Sequence, residues 1–103
     1  MKILLLCSFG VSVDILKKRM YQQIEEEQLD YTIAVSALSE ASITGKDADV
    51  ILLTPQVRFN LSKIKQLFPD KEVSCIDAQD FAQGNGQAVI QYVKNYLGNK
   101  DNK

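Results

Sequence analysis

The sequence predicts an α/β fold in which helices cover both faces of a four-stranded parallel sheet of order 2-1-3-4. Three observations carry that expectation. Lys2–Cys7 and Asp49–Thr54 are solid apolar runs, the pattern of strands buried on both faces. Two more polar extended stretches, 30–36 and Glu72–Asp77, suit the sheet edges. Helical stripes separate all four, so the order reads β-α-β-α-β-α-β-α and the connections are right-handed crossovers.

The elements follow in turn. After the first strand, Ser8-Phe9-Gly10-Val11-Ser12 reads as a loop. A helix to about Glu27 then carries Val13, Leu16, Met20 and Ile24 on one stripe, at spacings of three and four. The second strand alternates Tyr31, Ile33 and Val35 with Thr32, Ala34 and Ser36. Leu38 to Ile43 makes at most a short helix that stops near Gly45. Thr54-Pro55 is expected to open the third helix, with Thr54 as its side-chain cap and Pro55 in the first position. Its stripe is Val57, Leu61, Ile64 and Phe68, and Pro69-Asp70 ends it. A polar loop containing Gly84-Asn85-Gly86 leads to a last helix whose core face is Val89, Val93 and Leu97, with Gly98 as its stop.

The 103 residues suit one domain, 1–103, with 99–103 expected to be a frayed tail. Net charge is −1 with acids and bases interspersed, and there is no Trp, so nucleic-acid binding has little support. The opening apolar run is too short for a signal peptide, and no stretch approaches the roughly 20 apolar residues that cross a bilayer. A cytoplasmic location without membrane insertion is the expectation. In a reducing cytosol the two cysteines, Cys7 and Cys75, stay unpaired. With no His in the chain, a zinc or Cys-His catalytic site is excluded, and no metal or other cofactor is expected.

The chemistry converges on Cys7. In a sheet of this order the chain reverses direction between strands one and three, and ligands bind there at the carboxyl ends of the strands. Cys7 is the last residue of strand one and stands just ahead of a helix N-terminus. Unpaired backbone N–H groups and the helix dipole favour negative charge there, so the thiol pKa is expected to fall. The same N–H groups, from about Phe9 to Asp14, can cradle a tetrahedral anion on the sulfur; Gly10 permits the turn, and Ser8 and Ser12 add hydroxyl donors. The bland alternative is a buried small Cys7 with Ser12 as a helix cap.

Low-molecular-weight tyrosine phosphatases also set a Cys after strand one, followed by five residues and an Arg that stabilises the hydrolytic transition state. The Arg position here is Val13. A group that can be phosphorylated but lacks the cation that promotes hydrolysis suits a carrier better than a phosphatase.

At Cys7-Ser8-Phe9-Gly10-Val11-Ser12, through Ala48–Gln56 and on to Cys75-Ile76-Asp77, the chain resembles the IIB component of the bacterial sugar phosphotransferase system, lactose/cellobiose (chitobiose) family. The resemblance implies a flavodoxin-like domain that accepts a phosphoryl group on Cys7 from the phosphohistidine of a IIA protein. The group then passes to a sugar bound by the membrane IIC component, the sugar being reached only through IIC. It also implies that the loop Ser8–Val13 holds the phosphate. Val13 and Asp14 depart from the small or hydroxyl residues common in the family; Asp14 is expected to point outward, and Phe9, larger than usual, to act as a docking contact. Thr54, Pro55, Gln56, Asp77 and Phe81 are possible rim or partner contacts, weighed against a helix cap and a plain surface connection. Two other readings stay open: a phosphatase-like or arsenate-reductase-like hydrolase or reductase, and a non-enzymatic module that binds a phosphorylated partner.

Overall fold

The computed structural model describes residues 1–8 and 13–101, with side chains through Leu97. The first apolar run forms β1 (Lys2–Cys7), followed by α1 (Asp14–Glu26). Next come β2 (Thr32–Ala37), a 3-10 turn (Leu38–Glu40), the one-turn α2 (Ala41–Thr44) and a second 3-10 turn (Gly45–Asp47). The second apolar run forms β3 (Val50–Leu53), and a 3-10 segment (Pro55–Asn60) joins it to α3 (Leu61–Leu67). The chain ends in β4 (Glu72–Cys75), a short α4 (Ala78–Ala82) and α5 (Gly86–Asp101).

All strands are parallel and the sheet order is β2-β1-β3-β4, as the distribution of apolar runs predicts. Strand alternation sends the two faces of the sheet into two separate core layers. Ile3, Leu5, Val50 and Leu52 pack against Leu16, Met20 and Ile24 of α1 and Val89, Ile90 and Val93 of α5. Leu4, Leu6, Ile51 and Leu53 pack with Ala41, Val57 and Ile64 on the other side. β1 and β3 are buried on both faces, which is why they read as unbroken apolar runs.

Several elements differ from the sequence reading. α1 ends in a left-handed Gln28 (φ 55), with Leu29 N–H donating to Ile24 O and Gln28 N–H to Glu25 O, a Schellman-type close. α2 does stop at Thr44 with Gly45 as its C-cap, but a 3-10 turn not read from the sequence follows; the bare Cα of Gly45 admits the Phe68 ring, which a Cβ would meet at 2.7 Å. The helix expected from Pro55 is broken at Val57 (φ −114, ψ 19), so regular α-helix starts only at Leu61. Pro55 does hold the first position, yet Thr54 makes no side-chain cap. The polar stretch after β4 contains a helix, α4, nucleated by Asp77, whose Oδ1 accepts from Gln79 N and Asp80 N at 2.9 and 3.1 Å. α5 runs through Gly98 to Asp101, because the chain does not enter the left-handed conformation that would end it at Gly98.

Packing of α1 on α5 depends on Gly86. A Cβ there would lie 2.4 Å from Met20 N and 2.5 Å from Arg19 C, both backbone atoms that cannot swing aside. Gly86→Ala is therefore expected to lower the unfolding free energy by about 3 kcal/mol, read from the urea midpoint at unchanged m-value.

Candidate functional site

Cys7 closes β1 at the carboxyl edge of the sheet, between β2 and β3. Its neighbour in β2 is Ala37, and on the β3 side the ladder continues beyond Leu6↔Leu53 through Thr54 N–H donating to Leu6 O at 2.9 Å. Ser8 follows, half-buried, and Val13 then precedes α1 at its N-cap position without a side-chain cap. Phe9, Gly10, Val11 and Ser12, and with them most of the expected anion cradle, lie outside the described residues. The strand end and the helix start therefore flank that segment, as the switch-point argument expects.

The electrostatics of Cys7 differ from expectation. The thiol is 9% exposed, and burial pushes its pKa up from the ordinary thiol value. Its Sγ donates toward Ser36 O at 3.7 Å, a contact that suits the protonated form. The expected lowering required amides of the following segment to outweigh desolvation. Burial therefore acts against the thiolate at this position.

Val13 is 5% exposed and packs as an apolar residue at the position where a hydrolytic loop has its cation. Asp14 is exposed in the first turn of α1. Thr54, Pro55 and Gln56 do come to the same sheet edge as Cys7: Pro55 is buried and Gln56 exposed. Thr54 is fully buried, and its Oγ1 has no hydrogen-bond partner among the described residues. An unpaired buried hydroxyl costs roughly 1–3 kcal/mol. Asp77 is exposed at the end of β4, beyond β3 from Cys7, and its carboxylate is engaged in capping α4. Phe81 is half-buried, packs on the α1/α5 core layer and borders a depression of about 410 Å³ with Ile15, Arg19 and Gly84.

Three residues at this edge were not singled out from the sequence. Ser36 is buried at 9% and supplies the carbonyl that Cys7 faces. The register of the first two strands is the signal that would have found it, since Leu6 pairs with Ser36. Arg58 and Phe59 sit in the 3-10 segment after β3, with the guanidinium 4.5 Å from the ring centroid and donating to Pro55 O at 3.2 Å. Phe59 is 84% exposed, an apolar side chain held out from the carboxyl edge of the sheet. Arg58 influences Cys75, whose thiol burial pushes up while the guanidinium partly offsets it. Both cysteines are free. Among the described residues no helix is long and apolar enough to cross a membrane.

Residues 2–92 match the family model described as PTS system, Lactose/Cellobiose specific IIB subunit. The chain is similar to the cellobiose-specific phosphotransferase IIB component protein of Borrelia burgdorferi, with 31% identity over 97% of this chain and 94% of that one, at a TM-score of 0.79. The lactose-specific IIB component domain of the phosphoenolpyruvate:carbohydrate phosphotransferase system from Streptococcus pneumoniae shares the fold, with a TM-score of 0.82 at 16% identity over 92% of this chain and 95% of that one. The family match spans Cys7, both central strands and the edge segment Thr54–Gln56. The chain belongs to the lactose/cellobiose-specific IIB family and is a component of a sugar phosphotransferase system.

Proposed function

We propose that this protein is a phosphocarrier that takes a phosphoryl group from the phosphohistidine of a IIA protein onto Cys7. It then delivers the group to a lactose- or cellobiose-class sugar bound by the membrane IIC component. The observation that supports the reading most directly is Cys7 at the carboxyl end of β1, with buried apolar Val13 where a hydrolase needs arginine. In the first transfer the Cys7 sulfur forms a bond to phosphorus as the phosphorus–nitrogen bond breaks. The bonding pair returns to the imidazole nitrogen, and the thiol proton leaves with that imidazole. In the second, a sugar hydroxyl oxygen bonds to phosphorus, the sulfur–phosphorus bond breaks, and the proton lost from the hydroxyl restores the thiol. Backbone amides of Ser8–Val13 hold the phosphoryl oxygens between the two steps. The chain acts as one domain in the cytoplasm, meeting IIA and IIC in turn over the edge around Cys7.

A neutral, shielded thiol has a use in such a cycle. It resists adventitious alkylation and oxidation at rest, and it loses its proton only as the donor's phosphoryl group arrives. Incubation with phosphoenolpyruvate, the general phosphotransferase proteins and a lactose/cellobiose-class IIA protein is expected to add one phosphate to Cys7, seen by peptide mass spectrometry and absent in Cys7→Ser. Rapid turnover of an aryl phosphate without a stable adduct would instead identify a hydrolase. For the isolated chain, iodoacetamide is expected to alkylate Cys7 more slowly at pH 7.5 than it alkylates the same thiol in urea-unfolded protein, with the folded rate rising at higher pH than the unfolded one. The sign follows from burial: the folded state binds this proton more tightly, so the associated stability is present below the ordinary thiol range and is lost as pH rises through it.

A further inference from the structure

We propose that the Thr54 hydroxyl is a phosphoryl-binding group that donates a hydrogen bond to the phosphate carried on Cys7. The inference rests on the phosphocarrier reading and adds a named side chain to it. Leu5 stands opposite Leu52 in the β1–β3 ladder, and both point into the layer under α1 and α5. Two residues further along each strand, on the same face, are Cys7 and Thr54. The ladder is intact to that point, because Thr54 has extended dihedrals (φ −69, ψ 155) and its N–H donates to Leu6 O at 2.9 Å. Strands lie about 4.8 Å apart, so the hydroxyl and the sulfur are same-face neighbours on adjacent strands.

The hydroxyl is otherwise unexplained. Thr54 is 0% exposed, yet its Oγ1 has no partner among the described residues. Its position before Pro55 is where a threonine caps a helix, and it makes no such cap. Its main chain is engaged, with the N–H on Leu6 O and the carbonyl accepting from Val57 N. A valine would fill the same space and leave no buried donor unpaired. A phosphoryl group on the sulfur brings three strong acceptor oxygens to this layer of the sheet edge, and with them the missing partner. The hydroxyl is thus paired in the phosphorylated state and unpaired in the resting one. It favours phosphorylation by strengthening only the loaded form, as a ligand shifts an equilibrium through differential affinity.

The test compares wild type with Thr54→Val and Thr54→Ser. Each is phosphorylated by phosphoenolpyruvate, the general phosphotransferase proteins and a IIA protein, and the equilibrium between phospho-IIA and phospho-Cys7 is read by mass spectrometry. In parallel the thermal midpoint of each unphosphorylated protein and the ³¹P resonance of the phosphocysteine are recorded. Thr54→Val is expected to keep or raise the resting midpoint, to shift the phosphoryl equilibrium toward the donor by about tenfold, and to move the ³¹P resonance. Thr54→Ser is expected to stay within about threefold of wild type. If Thr54→Val fails to fold, Thr54→Ala against Thr54→Ser isolates the hydroxyl, since the two differ by that one oxygen. Equal equilibria and equal ³¹P shifts with and without the hydroxyl would overturn the proposal while leaving the carrier reading intact. Failure of wild type to accept phosphate on Cys7 would overturn both.

Discussion

Everything at the carboxyl edge depends on the parallel pairing of β1 with β3 in the middle of the sheet. The register Ile3↔Val50 to Leu6↔Leu53 joins the two most apolar strands of the chain and closes a core on each side of them. A one-residue slip would send each side chain into the opposite core layer, among neighbours of different shape, so close packing on both faces selects the register. That pairing holds Cys7 at the strand tip and brings Thr54, forty-seven residues later in the chain, alongside it. It also leaves the chain to depart in opposite directions from the two strands, which is the geometry that opens a crevice above them.

The same burial that builds the core sets the state of the nucleophile. Cys7 is part of the apolar interior by exposure and faces the Ser36 carbonyl, and both surroundings favour the thiol over the thiolate. A carrier tolerates this, because it needs a sulfur that is reactive toward one phosphorylated partner and inert toward water and oxidants. Val13 fits the same logic: an apolar side chain in the first turn region excludes charge where a hydrolase would concentrate it.

Much of this was legible in the residues. Lys2–Cys7 and Asp49–Thr54 announce central strands by being unbroken, which puts the two more polar strands at the edges of the sheet. The stripe Val13, Leu16, Met20, Ile24 appears buried as its spacing requires. The misses share a cause, which is that local pattern carries no information on tertiary environment. Thr54-Pro55 has the chemistry of a helix start, but the kink at Val57 and the depth of Thr54 prevent the cap. α4 spans only Ala78–Ala82, too short to show a stripe, and its signal was the capping carboxylate of Asp77. Gly98 has the composition of a helix stop, yet α5 continues through it. The thiol pKa was argued from the helix dipole, whereas the deciding quantity, solvent exposure, belongs to the folded chain. Ser36 enters the site only through its pairing with Leu6.

In the proposed cycle, phosphate on Cys7 is held for transfer and shielded from hydrolysis. The most direct test follows purified phosphoprotein after removal of the donor, in buffer alone and with unphosphorylated IIA protein added. For a phosphocarrier the label stays on Cys7 in buffer and returns to the IIA histidine on mixing, with little free phosphate in either case. Release of inorganic phosphate at the same rate in both samples, with none recovered on IIA, would contradict it.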